Sequence, residues 1–193
     1  RMREIETAAY AVLAQYGYDG TSMLAVAKAA KASNETMYRW YGDKNGMFES
    51  MVRANAAEVK GRLATLAGKS TAPLNVLERV APVLLEMLLG DKAIALNRAA
   101  ASDPTGVLGK AIAKGGREAV LPLLKKLMID AINDGSLVPP KDGDIAVLFM
   151  HLLVGDQQIR RVIGNAAAPS ARAIEVQART AMAQFVALCD TER

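Results

Sequence analysis

Thr21-Ser22 and Ser33 are two helix-start signals so closely spaced that the chain around them can form only short helices. A Ser or Thr hydroxyl accepts one of the amides that a first helical turn leaves without a partner. The spacing predicts a helix over Met23–Ala30 and another from Asn34 to about Tyr41, with only Lys31-Ala32 as the turn between them. Upstream, Ile5, Ala9, Val12 and Leu13 mark one face of a helix over Met2–Tyr16, and Gly17 is its stop. Downstream, Gly42-Asp43 breaks the chain before a long helix from about Lys44 to Leu66, ending at Gly68. Three helices in the first 41 positions, the last two joined by a tight turn, make a helix-turn-helix arrangement.

The rest of the chain also reads as helical. Period-2 alternation of β-branched residues is absent, while i, i+3, i+4 patterns recur. Residues 68–75 read as a linker, followed by helices near 75–89, 91–101, 104–114, 117–133, 142–163 and 170–189. Asp103-Pro104 has the form of a helix start, an Asp cap with Pro at the first helical position. Pro82 and Pro122 fall inside the pattern, where proline kinks or starts a helix and could border a cavity. The fold class is therefore all-α. A helix-turn-helix domain over 1–50 is joined by the 44–66 helix to a second helical domain over 68–193.

Composition excludes several functions. A single cysteine, Cys189, rules out an internal disulfide framework and a multi-Cys zinc site, and fits a reducing cytosol. A single histidine, His151, leaves few routes to His-based catalysis or metal binding. No carboxylates cluster at catalytic spacing; Asp142 and Asp144 stand at a helix start, where Asp is ordinary capping chemistry. An enzyme is thus disfavoured, and no cofactor or metal is expected. The longest uncharged apolar run, Ile145 to Gly155, is about half a membrane span, so no membrane association is expected. The chain opens on Arg1 rather than Met, and Arg3, Glu4 and Glu6 stand where a signal peptide has its apolar region; the expected location is cytoplasmic.

Net charge is +4, mildly basic, and it does not choose a nucleic-acid-binding half. Residues 1–62 hold 9 Lys/Arg against 7 Asp/Glu, and residues 63–193 hold 15 against 13. Aromatics do divide the chain, for seven of nine fall before residue 50. Tyr10, Tyr16 and Phe48 are expected in a core. Tyr38, Trp40 and Tyr41 cannot all be buried, because consecutive helical positions point about 100° apart. The first turn of the third helix carries Asn34, Glu35 and Thr36. Asn can pair with adenine, Glu can accept from cytosine, and Thr can touch a thymine methyl or a phosphate. Tyr38, Arg39, Trp40 and Lys44 supply donors for phosphate oxygens. On the residues alone, DNA binding and a protein–protein surface both fit. A helical adaptor without DNA binding or effector response is the alternative reading.

Residues 5–51 resemble the DNA-binding domain of the tetracycline-repressor (TetR) family of transcriptional regulators. The resemblance rests on Ala8-Ala9, Gly17-Tyr18-Asp19-Gly20-Thr21-Ser22-Met23, Val26-Ala27-Lys28-Ala29-Ala30, the segment Ser33 to Tyr41, and Asp43-Lys44. It implies a homodimeric, ligand-responsive regulator, usually a repressor, bound to a double-stranded DNA operator. It also implies that Thr21, Tyr38 and Lys44 contact phosphate. Asn34, Glu35 and Thr36 would then lie at the bases, with Arg39 and Trp40 at the groove edge and Ser33 in the same DNA-binding set. The family commonly has Gly-Val where this chain has Lys31-Ala32. A left-handed Lys31 costs roughly 1 kcal/mol relative to Gly; otherwise the turn differs in shape.

Segment 76–155 is similar to the C-terminal domain of the AefR-like subgroup. The matching stretches are Leu96-Asn97-Arg98-Ala99-Ala100 before Asp103-Pro104, Ala131 to Leu137, and Ala146 to Gly155. The 142–163 helix is apolar nearly all round, so it is expected to be buried on two sides, one of them a dimer partner. In the 170–189 helix, Ala173, Val176, Thr180, Ala183 and Ala187 permit close approach, which makes these two helices the expected homodimer interface. A small-molecule effector is expected in an apolar pocket lined by Leu84, Met87, Leu88, Met128 and Phe149, with Arg98, Asn97 or His151 as polar anchors.

Overall fold

The computed structural model describes residues 1–67, 72–139 and 143–189. Every regular element among them is helical. In chain order they are α1 (Met2–Gly20), α2 (Met23–Ala29), α3 (Asn34–Tyr41), α4 (Lys44–Ala67), α5 (Pro73–Leu89), α6 (Asp91–Ser102) and α7 (Val107–Ile112). A π-helical turn over Ala113–Arg117 leads into α8 (Glu118–Asn133). Then come α9 (Ile145–Val154), α10 (Gln157–Val162) and α11 (Ala171–Leu188). Half of the expected linker, residues 68–71, and position 142, where the penultimate long helix is expected to start, lie outside the described residues; of the other half, Pro73, Leu74 and Asn75 already form the first turn of α5 instead.

The helices start where capping side chains allow. Ser22 accepts the Ala25 amide, Ser33 the Thr36 amide, Asp43 the Gly46 amide, Asp144 the Ala146 amide and Ser170 the Ala173 amide. Two expectations need correction. Asp103-Pro104 does not open a helix at 104. The Asp103 carboxylate instead folds the loop, accepting the Thr105 amide and hydroxyl and the Leu108 amide, so α7 begins at Val107. The long 142–163 helix is two helices, because Gly155 at φ 52, ψ −133 breaks the backbone between α9 and α10. Pro82 and Pro122 both lie inside continuous helices, α5 and α8.

The chain forms two compact units. The first takes Arg1–Ala56 together with Asp91–Arg117; the second takes Ala57–Gly90 and Glu118–Arg193. In the first unit Ile5, Ala9, Val12 and Leu13 of α1 meet Val26 of α2, Met37 of α3 and Phe48 of α4, and Leu96, Ala99 and Leu108 close the same core. The helix-turn-helix thus shares its apolar interior with α6 and α7. Tyr16, expected inside, is exposed. The backbone turns at Gly17 (φ 69, ψ −174), and it is Tyr18 that packs on Phe48, with ring centroids 5.4 Å apart.

The second unit is built around α5, whose Val76, Leu77, Val80, Ala81, Leu84 and Leu85 are buried against α8, α9 and α11. Its C-terminal carbonyls are capped from α10: Gln158 donates to the Leu88 oxygen and the buried Arg161 guanidinium to the Leu89 oxygen. Gln177 of α11 does the same for α9, donating to the Leu152 and Leu153 oxygens. Phe149 and Phe185 meet edge to face at 5.3 Å in the centre. Among the described residues no helix is long and apolar enough to cross a membrane.

Candidate nucleic-acid interface

The turn between α2 and α3 sets the direction of α3. Ala32 donates to the Ala27 carbonyl and Lys31 to the Lys28 carbonyl, the paired bonds of a Schellman motif. That motif requires positive φ at its first residue past the helix, and Lys31 has φ 50. The turn therefore keeps the shape that glycine ordinarily supplies, with Lys31 carrying the strain. The Arg1 guanidinium donates to its carbonyl at 2.6 Å.

α3 itself is almost all surface. Met37 alone is buried, against the core of the first unit. Asn34 and Glu35 are exposed, and Thr36 is half-buried beside them. Ser33 is spent as the cap: its oxygen accepts the Thr36 amide at 3.1 Å and lies 2.9 Å from the Thr36 hydroxyl. Tyr38 is 56% exposed and Trp40 38%, while Tyr41 is half-buried. Arg39 is exposed between the two aromatics. Asn34, Glu35, Thr36, Tyr38, Arg39 and Trp40 are thus brought together on one short helix, with amide, carboxylate, hydroxyl, guanidinium and indole groups available to a partner.

Two residues of the expected set are placed otherwise. Thr21 is buried, and its hydroxyl donates to the Gly17 carbonyl at 2.7 Å. The Lys44 ammonium donates to the Tyr18 carbonyl at 2.5 Å and sits 3.8 Å from the centre of the Tyr18 ring. Burial lowers the pKa of Lys44, and the carboxylates of Asp19 and Asp103 oppose that shift.

In the second unit, Leu84, Met128 and Phe149 are fully buried and Met87 and Leu88 partly so. Arg98 belongs to the first unit and is exposed. Asn97, also in the first unit, donates to the Ala93 carbonyl, and His151 is exposed. A cleft of about 220 Å³ lies elsewhere in this unit, where Leu63 of α4, Val76 and Val80 of α5, and Leu124 and Leu127 of α8 form an apolar lining. The Lys126–Asp130 ion pair, at 2.8 Å, stands at its edge. Sequence reasoning missed this cleft because its lining reads as ordinary core periodicity.

A capped, solvent-facing helix held after a tight turn, with hydrogen-bonding side chains on its first turn, has the form of the recognition helix of helix-turn-helix DNA-binding proteins. Residues 5–51 match the family model of bacterial regulatory proteins of the tetR family, and residues 75–189 match that of the AefR-like transcriptional repressor C-terminal domain. The chain belongs to the TetR family of transcriptional regulators, which are DNA-binding proteins and not enzymes. No curated protein sequence matches it. Among solved structures, it is similar to a protein from Mesorhizobium loti MAFF303099 assigned to the TetR family (26% identity, 97% of this chain and 95% of that one, TM-score 0.79). It is also similar to a TetR transcriptional regulator from Agrobacterium tumefaciens (26% identity, 99% and 95%, TM-score 0.74). A third is the flavonoid-responsive regulator FrrA (25% identity, 100% and 98%, TM-score 0.71).

Proposed function

We propose that this chain is a homodimeric repressor that reads a palindromic operator through α3 of each copy and is released by a small apolar effector. The observation that carries the reading is α3, a helix with one buried side chain, whose Asn34, Glu35, Tyr38, Arg39 and Trp40 are exposed. Asn34, Glu35 and Thr36 are assigned to base edges. Tyr38, Arg39 and Trp40 are assigned to the phosphate backbone, and Ser33 to holding the first turn.

Dimerisation is supported by α11. Its Ile174, Ala178, Ala181, Met182 and Phe185 are buried within the unit. Ala173, Val176, Thr180, Ala183 and Ala187, at helical spacing on the other side, are left exposed in the single chain. Val147 of α9 is exposed as well, at 41%. A face of small and apolar residues running nearly the length of the helix suits a second copy of itself better than water. The effector reading is supported by the cleft between α4, α5 and α8, whose lining is apolar. It is supported too by the similarity to FrrA, a flavonoid-responsive regulator.

Selection of bound sequences from random duplex DNA tests the main claim. The expected product is an inverted repeat whose half-sites lie about one helical turn apart, roughly 34–36 Å. Recovery of no enriched sequence at low salt rejects operator reading and leaves the helical adaptor.

A further inference from the structure

Among the described residues Lys31 is the one residue besides glycine with positive φ; the seven other such positions, from Gly17 to Gly164, all hold glycine. A Cβ at φ 50 crowds the backbone, and glycine avoids that cost. The Schellman turn at Lys31 and Ala32 needs the angle but nothing of the side chain. Only the backbone of Lys31 is engaged in the fold: its amide donates to the Lys28 carbonyl, and its carbonyl accepts from Arg1. The residue is exposed, and among the described residues its ammonium pairs with nothing. Strain kept where the fold gains nothing from the side chain points to a use outside the fold.

The place of Lys31 in the chain indicates that use. Three peptide steps separate it from Asn34, so their Cα atoms lie no more than about 11 Å apart. The major groove that admits a recognition helix is about 12 Å wide, with a phosphate wall on either side. A compact ammonium on a flexible four-carbon stem is a point charge suited to such a wall. Cations are few here: from Met23 to Tyr41 the chain has only Lys28, Lys31 and Arg39, against Glu35. Affinity for a duplex comes largely from neutralised phosphates, so each of these three charges counts.

We propose that the Lys31 ammonium contacts a DNA phosphate at the edge of the groove that α3 enters, and that the strained turn is what presents it there. The inference rests on the DNA-binding reading of α3. It adds a phosphate ligand at a position where the family commonly has glycine and so no side chain.

Replacement by glycine separates this role from a part in the fold, because it relieves the turn while removing the charge. Binding to a random-sequence 30-base-pair duplex is measured against KCl for the wild type, Lys31→Gly, Lys31→Arg and Lys60→Gln, with urea unfolding of each. Lys60 is an exposed cation of the second unit, and its replacement reports the loss of charge alone. Lys31→Gly is expected to unfold at a higher urea concentration than the wild type and yet to bind DNA more weakly. Its slope of log affinity against log salt is expected to be flatter by about 0.9 for each copy bound, so that its deficit shrinks roughly threefold per copy between 50 and 200 mM KCl. Lys31→Arg keeps the charge and is expected to keep the slope, as is Lys60→Gln.

An unchanged slope in Lys31→Gly overturns the contact. So does an equal flattening in Lys60→Gln, which would show that net charge rather than position is at work. A wild-type chain that binds no duplex at low salt defeats the DNA-binding reading itself and this role with it. A wild type that binds while Lys31→Gly keeps its slope defeats the Lys31 contact alone.

Discussion

Lys31 shows how a single backbone angle can be read from neighbouring bonds. The Schellman pair at Lys31 and Ala32 fixes positive φ, and a side chain with a Cβ is strained there. Lys31→Gly should therefore raise stability by about 0.5–1 kcal/mol, the relieved strain less the cost of glycine's greater freedom in the unfolded chain. Lys31→Val should lower it, and urea denaturation of the three proteins measures both. Asn34 is a different case, since it is exposed and holds up nothing in the fold. Asn34→Ala should leave stability unchanged, weaken the selected operator by about 1–3 kcal/mol, and relax the preference at one base position per half-site. Equal losses on operator and random DNA would remove Asn34 from the base-reading set.

The α6–α7 loop is an element organised by one carboxylate. Asp103 accepts the Leu108 amide and the Thr105 amide and hydroxyl, and these bonds hold its pKa below the ordinary carboxylate value. A group whose folded pKa is depressed contributes stability that is present above its unfolded pKa, near 3.8, and is lost as pH falls through the folded value. Asp103→Ala should therefore lower the Tm at pH 7, and the difference from wild type should shrink as the pH is taken below 3.8. A difference that stays constant down to acid unfolding would show that the carboxylate's charge is not what matters. Because Leu108 is in the core shared with α1, α2 and α3, the variant tests whether this loop supports the recognition unit.

The proposed association of two copies rests on the outward stripe of α11. Ala183 is exposed in the single chain, while its neighbour Met182 is buried within the unit. Ala183→Glu therefore puts a charge on the proposed interface without disturbing the interior. Sedimentation should show monomers for the variant and dimers for the wild type, with operator affinity lost and the melting of the first unit unchanged. A wild-type monomer at micromolar concentration would end the dimer reading. Coupling between effector and operator has its own requirement. Whatever factor the effector takes from DNA affinity, DNA must take from effector affinity, within a usual range of about 5–150-fold.

The caps at Ser22, Ser33 and Asp144, the helical periods and the exposure of at least one aromatic near α3 were legible in the chain. Each depends on residues within about four positions of one another, where hydrogen-bond geometry leaves few choices. What lay beyond that reach was settled by packing between distant segments. Lys44 finds its partner 26 residues away at Tyr18, and Tyr18 displaces Tyr16 from the core because Gly17 turns the backbone between them. Residues 91–117 match the C-terminal family model yet share their apolar interior with the helix-turn-helix, for Leu96, Ala99 and Leu108 would pack equally well in pattern on any helical partner. An apolar stripe states that a surface must be covered; the three-dimensional arrangement of the chain chooses what covers it.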